Sequence, residues 1–233
     1  MNSECIFCRG SGPFLTREHI LPESLGGDDS FILQGRCVCD RCQNYFGSKI
    51  ERIALNNYPF SHWRTFGGIL TKKGRIPFFD DVEGTFFGPD ESGASSIAFN
   101  PIFLRSILEG KKTQIRLLAV PTDPTYVCRF LLKMGLELLH EDGIDNALHS
   151  RYLAARRFAR FCQPGSRWWF GLAESEAAVL PIGLAIDDVN ERDFVFSISN
   201  GQTMLFTPVI SNIIADSALA LSGARIRIHY CKS

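Results

Sequence analysis

Cys5-Ile6-Phe7-Cys8 and Cys39-Asp40-Arg41-Cys42 are two Cys-x-x-Cys pairs that enclose about thirty residues. Four thiolates at this paired spacing satisfy the tetrahedral coordination that zinc prefers. A segment of about 55 residues buries little apolar surface, so a metal ion is expected to help it fold. Cys37 is a further thiol beside the second pair, but it alternates with Cys39 on an apparent strand and would point the other way. The sequence therefore predicts a structural zinc site formed by Cys5, Cys8, Cys39 and Cys42.

An acid and a histidine, Glu18 and His19, lie side by side inside the segment that this zinc would close. Histidine titrates near neutral pH, so it is suited to act as a general base toward water. Adjacent residues of a strand point to opposite faces, so the two side chains need a distorted strand to serve one centre, and Pro22 could help impose it. The pair indicates a second, catalytic centre. The alternative is a surface pair in a purely structural zinc module.

The composition of the chain is that of an ordinary globular protein, with 45% hydrophobic and 21% charged residues. The formal net charge of +0 does not favour nucleic-acid binding, although a neutral total can hide a local basic face. We find no charged-then-apolar signal pattern at the amino terminus and no apolar run as long as a membrane span. Paired cysteines bind metal more often than they form disulfides in a reducing compartment, so we expect a cytoplasmic protein.

The composition changes near Asn56, where cysteines and glycines give way to longer apolar stretches. We therefore predict an α+β protein with a small zinc-stapled module over residues 1–56 and a larger α+β domain over residues 57–233. In the module we expect short strands at residues 15–21 and 31–38 and a helix from Gln43. In the larger domain the pattern predicts helices at residues 125–140 and 145–162, and strands within 69–87 and 97–120 and at 168–173, 179–186, 194–199, 204–210 and 224–230.

The ordered set of motifs in the first 55 residues resembles the HNH endonucleases of the ββα-metal type that carry a four-cysteine zinc. The resemblance rests on the two cysteine pairs, on Arg17-Glu-His-Ile-Leu-Pro22, on Leu25-Gly-Gly27 and on Cys42-Gln-Asn-Tyr-Phe-Gly-Ser-Lys-Ile-Glu51. It implies the ββα (His-Me finger) fold and the hydrolysis of phosphodiester bonds. It also implies a catalytic divalent metal, Mg²⁺ or Mn²⁺, beside the structural zinc, and DNA as the default substrate, with RNA left open.

The resemblance also implies roles for individual residues. His19 would be the general base, and Glu18 would bind the catalytic metal. The family has Asn or His directly after the fourth cysteine as a further ligand, whereas this chain has Gln43 there and Asn44 one residue later. The catalytic set is therefore predicted as Glu18, His19, Gln43 and Asn44.

The family's middle asparagine has no clear counterpart in this chain, although Ser30 or Gln34 stands near its position. Arg17, Arg41 and Lys49 are the basic residues that we expect to contact phosphates.

Two other interpretations stay open. In the first, the module is catalytically degenerate and binds nucleic acid or a protein partner. In the second, the chain is an interaction or regulatory protein in which the larger domain dominates and the module is scaffolding. In the nuclease interpretation, the larger domain selects the substrate, forms a homodimer or senses a signal.

Overall fold

The computed structural model describes residues 4–71, 73–115, 117–189, 193–210 and 225–232, and it has the predicted α+β composition. The α-helices of this part of the chain are α1 (Asp40–Tyr45), α2 (Arg52–Ala54), α3 (Phe60–Phe66), α4 (Pro101–Leu108), α5 (Pro124–Glu141) and α6 (Leu153–Phe161). The strands are β1 (Phe78–Asp81), β2 (Gly84–Phe87), β3 (Ser96–Phe99), β4 (Arg167–Glu174), β5 (Gly183–Asp188), β6 (Phe194–Ser199), β7 (Thr203–Pro208) and β8 (Arg225–Lys232). No helix in these ranges combines the length and apolarity that a membrane crossing requires.

The chain divides into two compact units. The first unit consists of Met1–Glu23, Gly27–Ala54 and Asp123–Ser233, and the second of Ser24–Gly26 and Leu55–Thr122. In the first unit, the segment from Asp123 onward packs with the amino-terminal module. The domains expected at residues 1–56 and 57–233 stay a prediction.

Helix α5 is the centre of the first unit. Its residues 127–137 are all buried, so the helix is covered on every side and must lie between two layers. One layer is the amino-terminal module, and the other is an antiparallel sheet in the order β5-β6-β7-β4-β8. A Cβ added at Gly135 would lie 2.7 Å from Phe196 Cβ, so the helix backbone approaches β6 closely. The predicted helix at 125–140 is confirmed.

The remaining predictions for the first unit are mostly confirmed. Strands are present at four of the five expected places, and the fifth, expected at 179–186, begins only at Gly183. The polar sequence over residues 187–193 predicts a turn between two of these strands, and residues 190–192 of it lie outside the described residues. The helix expected at 145–162 is wrong in its first part, because α6 begins at Leu153. The preceding segment is a loop that ends in a single 3₁₀ turn, Ser150–Tyr152, and the Tyr152 hydroxyl donates to Asp145 Oδ2 at 2.7 Å.

The second unit contains an antiparallel sheet in the order β1-β2-β3 together with α3 and α4. The short strands expected within 97–120 are wrong after Phe99, where α4 follows. Asn100 accepts a hydrogen bond from the Phe103 amide at 2.7 Å, and Pro101 occupies the first helical position. Both features favour the start of a helix, and they outweigh the apolar pattern from which strands were expected here. Helix α3 was not predicted, and the strands expected from residue 69 begin only at Phe78.

Candidate metal centre and active site

The four predicted cysteines come together at one point. The sulfur atoms of Cys5, Cys8, Cys39 and Cys42 all lie within 4.8 Å of one another, and those of Cys8 and Cys39 are 3.6 Å apart. A tetrahedral zinc ion with Zn–S bonds of about 2.3 Å requires sulfurs separated by roughly 3.8 Å. The cluster therefore fits a structural zinc ion.

The thiols of this cluster affect one another's ionisation. A hydrogen bond from Cys42 lowers the pKa of Cys5 to about 4, and the same bond raises the pKa of Cys42. Zinc binds thiolates, and it replaces the protons that such crowded thiols share. Cys37 is buried but lies outside this group, and burial raises its pKa. The prediction that Cys37 points away from the zinc ligands is consistent with this arrangement.

Two arginines border the zinc cluster. Arg160 Nε, on α6, donates to Cys42 Sγ at 3.4 Å, and the Arg160 guanidinium lies 3.6 Å from the centre of the Tyr45 ring. Arg41 hydrogen bonds the Cys8 side chain, and this contact raises the pKa of Arg41. Four thiolates around Zn²⁺ carry two excess negative charges, which these two guanidinium groups offset.

The helix that follows the second cysteine pair is not regular. α1 begins at Asp40, three residues earlier than predicted, and continues through a π-helical turn over Phe46–Glu51 into α2. The wider π turn keeps Phe46 and Ile50 fully buried. Gly47, in the same turn, is exposed and has no atom within 4 Å of a built Cβ.

The two strands predicted for the module are wrong as regular strands. His19 pairs with Ile32 in an isolated antiparallel bridge, beside which Leu33 N donates to Glu18 O at 2.8 Å. Farther along, the amides of Gln34 and Gly35 bind the Glu141 carboxylate at 2.9 and 3.2 Å. Those amides are therefore unavailable to a partner strand, and the strand pairing ends after the single bridge. We call the two paired segments, residues 18–20 and 31–33, the ribbon.

Glu18 is buried in an ion-pair cluster with Lys133 of α5. Only 7% of Glu18 is exposed and the Lys133 side chain is fully buried. Lys133 Nζ contacts Glu18 Oε1, Glu137 Oε2 at 3.1 Å and Glu51 Oε1 at 3.2 Å, and it donates to the His19 carbonyl oxygen at 3.2 Å. Burial raises the pKa of Glu18 and of Glu137. Burial alone would lower the pKa of Lys133, but the three carboxylates raise it.

Lys133 was missed as a site residue by sequence reasoning. The available signal was a lysine and a glutamate four residues apart, Lys133 and Glu137, inside an otherwise apolar helix. Charged residues at buried positions of a helix require partners, and these partners lie in the amino-terminal module.

His19 is half-buried, and its imidazole makes no hydrogen bond with any residue in the described ranges. It interacts electrostatically with Glu18 and with Asp28. The Asp28 carboxylate accepts hydrogen bonds from the Ser30 hydroxyl and amide at 2.5 and 2.9 Å, and these bonds lower the pKa of Asp28. Asp28 was not in the predicted site, and its place directly after Gly26-Gly27 was the only signal in the sequence.

Gln43 connects the start of α1 to the segment that precedes Glu18. Its Nε2 donates to the Arg17 carbonyl oxygen, and its Oε1 lies against the Thr16 hydroxyl. Asp40 strengthens the same connection, because its Oδ1 accepts from the amides of Leu15 and Thr16 at 2.8 and 3.1 Å. Both ends of the Gln43 amide are therefore occupied by the protein.

The remaining predicted site residues are solvent-exposed. Arg17 directly precedes Glu18, Arg41 lies within the second cysteine pair, Lys49 lies in the π-helical turn, and Asn44 follows Gln43 on α1. The Asn44 backbone oxygen accepts from the Ser48 hydroxyl at 2.7 Å. Their assignment to phosphate contact or metal binding stays a prediction.

Glu18 and Gln43 do not fit the expected pair of ligands for a catalytic metal. Glu18 Oε2 is buried without a hydrogen-bond partner among the described residues, but a divalent cation there would stand beside the Lys133 ammonium on Oε1, which repels it, and Gln43 would have to release two protein partners. Across the ranges that the structure describes, the four cysteines are the group of at least three Cys, His, Asp or Glu residues that could hold an ion.

Comparison with known proteins bears on the amino-terminal part of the chain. Residues 5–59 match the family model described as HNH endonuclease. Neither the curated proteins nor the solved structures gave a match. The matched segment starts at the first zinc cysteine and contains Glu18, His19 and Gln43, while α5 and Lys133 lie outside it. Motifs, cysteine cluster and family match together identify residues 5–59 as a module of the HNH endonuclease family.

Proposed function

We propose that the protein is a nuclease that hydrolyses phosphodiester bonds of nucleic acid, with DNA as its default substrate and His19 as the general base. The observation that carries this proposal is His19 itself, within the segment that matches the nuclease family. Its imidazole is accessible and has no hydrogen-bond partner among the described residues. Its backbone is held by the bridge to Ile32 and by Lys133.

In this mechanism the His19 imidazole removes a proton from a water molecule, whose oxygen bonds to the phosphorus as the bond to the 3′ oxygen breaks, and the 3′ oxygen takes up a proton from solvent. The imidazolium that forms is stabilised by the nearby charge of Asp28, which its hydrogen bonds to Ser30 keep ionised. Arg17, Arg41 and Lys49 are the proposed contacts to neighbouring phosphates. The family resemblance implies Mg²⁺ or Mn²⁺, but because Glu18 and Gln43 are engaged elsewhere, we assign no step to that ion.

The test is the nicking of supercoiled plasmid DNA by zinc-loaded protein in the presence of Mg²⁺ or Mn²⁺. Removal of a general base costs about 10²- to 10⁴-fold in rate, so His19→Ala should lower nicking by at least about a hundredfold. His149→Ala is the matched control, because His149 is an exposed histidine in the loop before α6. Nicking that persists in His19→Ala, or a wild-type protein that cleaves neither DNA nor RNA, would refute the proposal.

The alternative is a degenerate zinc module that binds nucleic acid or a protein partner without cleavage. The occupied side chains of Glu18 and Gln43 favour it. Gln43→Asn separates the two functions, since it restores the residue type of the family. Cleavage by this variant, where the wild type binds nucleic acid without cutting, would establish the degenerate function. Cleavage by the wild type would exclude it.

The part of the chain beyond the module keeps its proposed roles in substrate selection, sensing or the formation of a homodimer. The cytoplasmic location likewise stays a prediction. Light scattering across a range of protein concentrations would decide on the homodimer: a constant monomer mass would exclude it.

A further inference from the structure

We infer that Lys133 is a positioning residue for His19, and that Glu18 is the anchor of this lysine rather than a ligand of a catalytic metal. The inference rests on the proposed function, because it assigns how the same site is held. Lys133 is outside the segment that matches the nuclease family. The site would thus be completed by a helix that the family segment does not contain.

The contacts of a single nitrogen atom carry the first step. An ammonium group has three N–H donors, and Lys133 Nζ faces four acceptors: the carboxylates of Glu18, Glu51 and Glu137 and the His19 carbonyl oxygen. The acceptors outnumber the donors, and Glu137 Oε2 makes an ion pair without a hydrogen bond. Because the Lys133 side chain is fully buried, water does not compete for these contacts.

The positions of the acceptors carry the second step. Glu18 and His19 belong to the ribbon, Glu51 ends the π-helical turn, and Glu137 lies one helical turn after Lys133 on α5. One ammonium group consequently joins both halves of the nuclease module to α5.

The backbone around His19 is fixed on both sides as a result. The Glu18 carbonyl accepts from Leu33 N at 2.8 Å, the His19 carbonyl accepts from Lys133, and Ile20 N donates to Phe31 O at 2.9 Å. The imidazole is left as the uncommitted part of the residue. A displacement of about 1 Å in a reacting group can cost about a hundredfold in rate, so such fixation matters for a general base.

Charge carries the third step. Three carboxylates surround one fully buried ammonium group, so each of them has a cation as its neighbour. Glu18 is the acid of this cluster that precedes His19 in the chain. Its contact with Lys133 is made through Oε1, while Oε2 is buried without a hydrogen-bond partner among the described residues.

Two substitutions at Glu18 separate an anchor from a metal ligand. Glu18→Gln keeps an oxygen that accepts from Lys133, whereas Glu18→Ala removes it and leaves Glu51 and Glu137 to neutralise the lysine. We expect Glu18→Ala to lower kcat at least about tenfold with KM for DNA within about twofold. Glu18→Gln should restore kcat to within about threefold, with an unchanged Mn²⁺ concentration for half-maximal cleavage. A tenfold or greater rise of that concentration in Glu18→Gln would overturn the anchor role.

Lys133→Met tests the lysine directly, with Arg129→Met as its matched control. Arg129 is a buried cation one turn earlier on α5, and it donates to the module through the Tyr45 hydroxyl at 2.7 Å, away from His19. We expect at least a tenfold loss of kcat in Lys133→Met and a change within about twofold, per folded molecule, in Arg129→Met. Equal losses in the two variants would contradict a positioning role. If Lys133→Met does not fold, the pair of Glu18 variants decides.

A readout without activity separates this inference from the proposed function. Loss of the Glu18 anchor should accelerate hydrogen exchange of the Leu33 amide, which is bonded to the Glu18 carbonyl, at least about tenfold. The Cys42 amide, bonded to Cys39 O in the zinc cluster, should exchange at an unchanged rate. A wild type that never cleaves would refute the proposed function, whereas unchanged Leu33 exchange in Glu18→Ala would refute the positioning.

Discussion

Replacing Gly135 by alanine perturbs the contact between α5 and the sheet, on which the position of Lys133 depends. The added Cβ would lie 2.7 and 2.9 Å from Cβ and Cγ of Phe196 and 3.0 Å from Val209 Cγ1. The two Phe196 atoms are close to the β6 backbone and cannot move without it. Overpacking of a core costs about 1–3 kcal/mol, and the better helix propensity of alanine returns about 1 kcal/mol. A contact of 2.7 Å places this substitution at the upper end of that range, so we expect a net loss of about 2 kcal/mol in the free energy of unfolding.

Gly47→Ala is the matched control, because a Cβ at Gly47 meets no atom within 4 Å. No steric clash there offsets the higher helix propensity of alanine, so we expect the free energy of unfolding to rise by up to about 1 kcal/mol. Urea unfolding in a Trp63→Phe background measures both changes, since the two remaining tryptophans, Trp168 and Trp169, lie in β4 of the first unit. A Gly135→Ala variant as stable as the wild type would refute the close approach of α5 to β6.

Three further predictions concern the second unit and the zinc cluster. Burial lowers the pKa of His62 to about 4 from an ordinary value of about 6.5. The folded state therefore favours the neutral ring. The ring contributes at most about 3 kcal/mol to the free energy of unfolding, before allowance for solvent screening. This contribution is complete above pH 6.5 and is lost as the pH falls toward 4. His62→Phe should flatten acid unfolding in this range, and an identical pH dependence in both proteins would contradict this assignment. Cys39→Ser should reduce bound zinc, measured by elemental analysis, from one ion per chain to well below one, and full retention would exclude Cys39 as a ligand. Arg160→Met removes a hydrogen-bond donor to the Cys42 sulfur and should weaken zinc affinity about 10- to 100-fold, measured in competition with a chelating dye. Unchanged affinity would show that this contact does not contribute to zinc binding.

The zinc site was predictable from the sequence because its information is local and chemical. Two Cys-x-x-Cys pairs admit few arrangements other than a shared ion, and the four sulfurs do converge. The long apolar helix was equally accessible, since its pattern extends over four turns and α5 covers residues 124–141. Four of the five strands of the large sheet followed from their apolar runs and flanking turns.

The partners of Glu18 and the division of the chain were not predictable, because both depend on contacts between residues far apart in sequence. Glu18 is the expected metal ligand by motif alone, but its carboxylate contacts a lysine 115 positions later. Helix α5 belongs to the same unit as these module residues, and residues 55–122 belong to the other unit. Helix α4 was missed for a different reason: its Asn-Pro start signal was present but outweighed in the prediction by the apolar residues around it.

The chemistry of the cleaved ends tests the central claim most directly. A labelled duplex incubated with the zinc-loaded protein and Mn²⁺ should yield 5′-phosphate and 3′-hydroxyl ends, because an activated water attacks phosphorus and the 3′ oxygen departs. Such nicks are sealed by DNA ligase. Ends that carry a 3′-phosphate, or a duplex that stays intact under every divalent metal tested, would contradict the account.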